Sequence, residues 1–248
     1  MKQITSRQNP EIIAVSKLKN AKGRSQQNRF IAEGLRTCSA LVKAGLNPLQ
    51  IYVTEPNIDH VRSLVSIDYI TETTSEVLDK ISQTKTPSGI IGVFPIKPQP
   101  QPSKLSEGIV LAQITDPGNM GTLIRTCAAM DKKSVVIIDG VDPWNAKVIQ
   151  ASAGAIAQID IFQWTWQELL HYKKNLNLIG LIVHGGKSMH EINTKNALLV
   201  IGSEAQGIPT EWLSDCDQFA TLAMPGGIES LNAAVAGSIA MYLAWANQ

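Results

Sequence analysis

Cysteine is scarce in this 248-residue chain: Cys38, Cys127 and Cys216 are odd in number, far apart and never in C-x-x-C or zinc-like pairs. That spacing argues against a disulfide framework and a structural zinc site. It fits three small buried hydrophobes in a reducing, cytoplasmic setting. The four histidines, His60, His171, His184 and His190, are equally scattered and supply no metal-ligand set, so no metal is expected. No G-x-G-x-x-G follows any apolar run, which removes the dinucleotide-binding fingerprint and with it a nucleotide-dependent oxidoreductase. The leading MKQITSRQNP lacks the apolar centre of a signal peptide. One uncharged run, Ser230 to Gln248, approaches membrane-span length. It is short, contains Asn232 and has no flanking basic residues, so it reads as a buried helix and no membrane partner is expected.

Charge is also sparse, at 17% of residues with a net +1, against 44% hydrophobic residues. That leaves ample material for one large core or two smaller ones. The average hides an asymmetry: Met1 to Lys43 carries nine Lys/Arg against two acids, Glu11 and Glu33. A basic leading segment on a mildly acidic body suits contact with a polyanion; a solvated helical face explains the charge equally well. Residues 96–107 lie in the stretch PIKPQPQPSKLSEG, whose four prolines sustain neither helix nor strand and make a stiff linker. The linker divides an N-terminal unit, residues 1–95, from a C-terminal unit, residues 108–248.

In the first unit RFIAEG, LQIYVTE and GIIGVFP read as short strands between helical patterns, giving a small α/β domain. Its entry arm carries Lys17, Lys19, Lys22, Arg24 and Arg29. The second unit has six continuous apolar runs, GIVLAQIT, SVVIID, QIDIF, LNLIGLIV, ALLVIG and QFATLAM, separated by helical stretches. Unbroken hydrophobicity means strands covered on both faces, hence a mostly parallel α/β sheet, whose ligands gather at the carboxyl ends of the strands.

Three loops stand at such ends. In TDPGNMG, Pro117 and Gly118 suit a tight turn and Asn119 is placed to cap the next helix. Arg125 follows nearly two turns in, aimed at a ligand or paired with Asp116 or Glu204. In LLVIGSEAQGIP, Gly202 and Gly207 permit close approach to the backbone, and Glu204 adds a carboxylate. In LAMPGGIESLNAAVAGSIAMYLAWAN an irregular Pro-Gly-Gly loop precedes a helix opened by Ser230 and Asn232. Small residues at 233, 236, 237, 240 and 244 form a stripe suited to close helix packing, within the chain or between two copies.

In this order DPGNMGTLIRT, VIGSEAQGI and LAMPGGIESLNAAVA resemble the three motifs of the SpoU (TrmH-like) branch of the SPOUT RNA methyltransferases. ASAGAI is similar to the family's intermediate segment, and the first unit, more loosely, to the small RNA-binding domain that precedes this fold. The resemblance implies a trefoil-knotted α/β domain, a homodimer, S-adenosyl-L-methionine as methyl donor and a ribose 2′-hydroxyl of RNA as acceptor. By fold-level analogy ribosomal RNA is favoured over tRNA as substrate; a catalytically inactive RNA-binding protein of the same fold is the competing reading.

Matched residue by residue, the resemblance implies a donor site formed by backbone near Gly202, Leu222, Met224 and Leu231, with Ile201 and Ser203 beside them. Asn119, Arg125, Glu204, Ser230 and Asn232 match its polar site residues, and the basic arm would contact phosphates without choosing the nucleotide. Arg125 is implied as the base. A guanidinium serves so only if burial and the neighbouring cofactor cation strip its proton; otherwise it holds a phosphate and the developing oxyanion.

Overall fold

The computed structural model describes residues 1–84 and 86–246, so Asn247 and Gln248, the end of the uncharged run, lie outside it. The chain forms two compact units. One comprises Met1–Pro98 with Asp142–Ala157, the other Gln99–Val141 with Gln158–Gln248. Residues 142–157, expected in the C-terminal unit, thus pack with the first.

In chain order the first unit contains β1 (Lys2–Ile4), α1 (Pro10–Ser16), α2 (Ala21–Gln27), β2 (Arg29–Glu33), α3 (Leu35–Lys43), β3 (Gln50–Val53), α4 (Ile58–Arg62), β4 (Ile70–Thr73), α5 (Ser75–Ile81) and β5 (Ile90–Pro95). The second contributes β6 (Gly108–Ala112), α6 (Pro117–Ala129) and β7 (Ser134–Ile138). After α7 (Ala146–Ser152), which belongs to the first unit, it continues with β8 (Asp160–Gln163), α8 (Trp166–Tyr172), β9 (Asn177–Leu181), β10 (Ala197–Gly202), α9 (Thr210–Leu213), β11 (Gln218–Ala220) and α10 (Ala233–Trp245).

The second unit's sheet has the order β11-β9-β10-β6-β7-β8, and every pairing is parallel. Each of the six apolar runs holds one strand, with β8 reaching one residue past QIDIF to Gln163. Every residue of β6 and β7 is buried, as sheets covered on both faces require. Val110, Val136, Phe162, Leu198 and Val200 fill its core, and Trp166 stacks on Trp212 with ring centroids 4.8 Å apart. The proline-rich segment is tied to the open edge of β8, where the Gln163 backbone N–H donates to the Gln99 side chain at 2.9 Å.

Local chemistry sets where the helices start. Asp116, not Asn119, caps α6, accepting from the Asn119 backbone N–H at 2.8 Å, with Pro117 in the first turn. This corrects the expectation for Asn119, whose own side chain is released for other work. The small-residue stripe of α10 is used within the chain: a side chain at Gly237 would come within 2.5 Å of Leu123 on α6 and 2.7 Å of Ile201 on β10. The opposite face of α10 leaves Val235, Ile239, Tyr242 and Leu243 exposed.

The first unit's sheet is mixed, in the order β1-β4-β3-β5-β2, with β5 antiparallel to both β3 and β2. Strands β1 and β4 were not expected. β1 has one buried residue, Ile4, and β4 buries two threonines, so neither shows an apolar run. Arg24 is a second correction. Expected on an RNA-facing arm, it is 3% exposed, donates to the Leu18 carbonyl at 2.9 Å, and pairs with Asp142 at 2.6 Å. The guanidinium is spent inside the unit, holding residues 142–157 against α2. Nearby, Trp144 stacks on Phe30 at 5.3 Å, and a side chain at Gly154 would strike Ala40.

Asp142→Ala is expected to destabilise the protein by about 2–4 kcal/mol in urea unfolding, slightly under the loss for a fully buried pair because Asp142 keeps some contact with water. Arg24→Met combined with Asp142→Leu should recover much of that loss.

Candidate active site

Three segments at the carboxyl ends of the parallel strands surround one cavity of about 480 Å³: residues 181–184 from the end of β9, 201–207 from the end of β10, and 222–236 from the loop after β11 into the first turn of α10. The volume falls within the range of about 300–1,000 Å³ usual for cofactor sites. The structure brings together here Ile201, Gly202, Ser203, Leu222, Met224 and Leu231, with Glu204 and Ser230 beside them.

The second wall depends on glycine. Ser203 and Gly207 exchange backbone hydrogen bonds of 3.1 and 2.9 Å, closing a tight turn, and Gly207 sits at φ +67°. A side chain at Gly202 would lie 2.1 Å from the Gly207 carbonyl carbon, so the turn can fold over the strand end only if residue 202 has none. The first wall was missed in the sequence, although the apolar run LNLIGLIV is followed, after His184, by the pair Gly185-Gly186. Its loop is pinned by the Gly186 N–H donating to Thr221 Oγ1 at 2.9 Å, and a side chain at Gly186 would strike the Ala220 backbone.

A directed chain of hydrogen bonds ties the three motif loops. Asn232 Oδ1 accepts from the Ala234 and Val235 N–H groups at 2.9 and 3.3 Å, capping α10. Its Nδ2 donates to Asn119 Oδ1 at 3.1 Å, and Asn119 Nδ2 donates to the Glu204 carboxylate. Each amide is oriented by what it must accept and donate, so the start of α10, the start of α6 and the end of β10 are held together.

Arg125 stands apart. It is exposed on α6, outside the cavity lining, with no ion-pair partner among the described residues. Neither Asp116 nor Glu204 takes it, since one caps α6 and the other receives Asn119. The chain leaves this guanidinium exposed, without the burial that a base role requires.

On the entry arm Lys17, Lys22 and Arg29 are exposed. Lys19 is half-buried, and that burial holds its ammonium below the usual lysine value, with Glu33 opposing and Arg7 reinforcing the shift. Burial pushes the Cys38 and Cys127 thiols up to about 12 and Cys216 to about 11, which suits packing rather than nucleophilic chemistry. Among the described residues no His, Cys, Asp or Glu group could hold a metal, and no helix is long and apolar enough to cross a membrane.

A parallel α/β unit with a glycine-built cavity at its strand ends defines a small-ligand-binding domain. Residues 108–242 match the SpoU rRNA Methylase family, and residues 9–92 match the MRM3-like substrate binding domain. The chain belongs to the SpoU rRNA methylase family. It is 28% identical to the 23S rRNA (guanosine(2553)-2′-O)-methyltransferase RlmP of Bacillus subtilis, with 98% of each chain covered. A solved RNA 2′-O ribose methyltransferase superposes with a TM-score of 0.78 at 27% identity, covering 98% of this chain and 97% of that one. The fold is shared with an AdoMet-bound rRNA methyltransferase from Sinorhizobium meliloti, with a TM-score of 0.86 at 23% identity over 99% and 98% of the chains.

Two variants at Asn232 separate its two roles, as acceptor for α10 and as donor to Asn119. Asn232→Ala should cost about 1–2 kcal/mol through loss of the helix cap. Asn232→Asp keeps an acceptor for α10 and should unfold close to wild type in urea, while losing the donor to Asn119 and, with it, most methyl transfer.

Proposed function

We propose that the chain transfers a methyl group from S-adenosylmethionine to a ribose 2′-hydroxyl of ribosomal RNA. The observation that carries this reading is the cavity bounded by residues 181–184 and by the second and third motif loops, to which Asn119 of the first motif loop is tied through Asn232 and Glu204. The residues fit the donor: apolar walls from Leu181, Ile201, Leu222 and Leu231 suit adenine, the Gly202–Gly207 turn gives backbone access, and the charges that line it are negative. When bound, S-adenosylmethionine supplies an electrophilic methyl on a sulfonium. Ribosomal RNA is favoured over tRNA because the Bacillus subtilis relative named for 23S rRNA is matched over nearly its whole length.

In this reading the Asn232–Asn119–Glu204 chain fixes the loops, and the Ser230 hydroxyl orients the ribose or its phosphate. Arg125 holds a phosphate and stabilises the developing oxyanion, with the proton passing to water, a role that its exposure suits better than that of a base. Lys17, Lys19, Lys22 and Arg29 position RNA through its phosphates.

The active species is a cytoplasmic homodimer joined through α10, a reading supported by the exposed row of Val235, Ile239, Tyr242 and Leu243. A trefoil knot in the second unit is supported by the path of residues 221–232, which reach the cavity beside both the 181–184 and the 201–207 segments. A crystal structure with that segment passing outside the others would remove the knot.

The test is incubation of the protein and labelled S-adenosylmethionine with RNA fractions from cells lacking the gene, then mapping of 2′-O-methyl positions. Label in ribosomal RNA supports the reading; label in tRNA alone, or none, contradicts it. Arg125→Ala should lose at least about a hundredfold in rate with folding intact, the scale for removing one oxyanion donor. Light scattering should report a dimer, and Ile239→Glu with Tyr242→Glu a monomer. RNA affinity should fall steeply between about 50 and 200 mM salt.

A further inference from the structure

We propose that Glu229 tunes the cavity to the charge of its ligand, so that the cationic donor is held more tightly than the neutral thioether left after transfer. The inference rests on reading this cavity as the S-adenosylmethionine site. Glu204 and Glu229 are the carboxylates that line it, and no Lys or Arg does so among the described residues. Glu204 is engaged by Asn119, whereas Glu229 is exposed and has no hydrogen-bond or ion-pair partner among the described residues. A free carboxylate beside a site that must receive a polyanion repels the incoming phosphates. A cationic ligand in the same cavity offsets that repulsion.

The charge arithmetic selects the donor over the product. S-adenosylmethionine carries a sulfonium, an ammonium and a carboxylate, and so has a net charge of +1. Loss of the methyl leaves the bonding pair on sulfur, giving a thioether of zero net charge. Glu229 therefore attracts the first and is nearly indifferent to the second. In water, two opposite unit charges about 7 Å apart attract enough for roughly a threefold preference, which rises as water is excluded.

Calorimetric titration of the full-length protein with S-adenosylmethionine and with S-adenosylhomocysteine tests this. Glu229→Gln should weaken the donor about threefold to tenfold and leave the thioether within about twofold. Glu229→Asp should keep the preference, and added salt should shrink it. Equal weakening of both ligands would show a structural role for Glu229 and overturn the proposal, as would no change in either. Unchanged affinities with reduced RNA methylation would assign Glu229 to the nucleic acid instead, and also overturn it. Binding of neither ligand to the wild-type protein would sink the cavity assignment itself.

Discussion

The site depends on a side-chain relay only three residues long. Asn232 uses its oxygen to start α10 and its nitrogen to reach Asn119, and Asn119 passes the direction on to Glu204 at the end of β10. Each amide has one orientation that satisfies both neighbours, because reversing either would set donor against donor or acceptor against acceptor. The relay therefore does more than add stability. It fixes where the starts of α6 and α10 and the end of β10 stand relative to one another. The same arrangement explains why Asp116 caps α6: a carboxylate there frees the Asn119 side chain, and the helix start loses nothing.

Much of the second unit was legible in the sequence because its sheet is buried on both sides. Residues such as Val110 and Val136 have to be apolar, so the strands stand out as unbroken runs. The cavity residues from Ile201 to Leu231 were found through ordered motifs rather than through composition. Residues 181–184 escaped because nothing but a Gly-Gly pair marks their loop, and a side chain at Gly186 is excluded by backbone that lies far away in sequence.

The first unit was less legible, for different reasons. β4 buries Thr71 and Thr73, whose hydroxyls hide a strand from any hydrophobic pattern. Arg24 looked like one more cation in a basic arm. Its partner Asp142 lies 118 residues away, on the far side of the linker, and no local pattern foretells such a pair. The segment carrying Asp142 folds with the first unit although both of its neighbours in sequence belong to the second. Substrate-binding and cavity-bearing units are thus built from interleaved stretches of chain, and a cut at the proline-rich linker would strip the first unit of α7 and of the ion pair to Arg24.

The central claim is that the cavity between residues 181–184, 201–207 and 222–236 holds the methyl donor. A crystal structure grown with S-adenosylhomocysteine tests it most directly. The account predicts the nucleoside between Ile201, Leu222 and Leu231, with its base bonded to backbone and the Asn232–Asn119–Glu204 relay intact beside it. A ligand seated elsewhere on the chain, or a cavity still empty at saturating concentration, would contradict it.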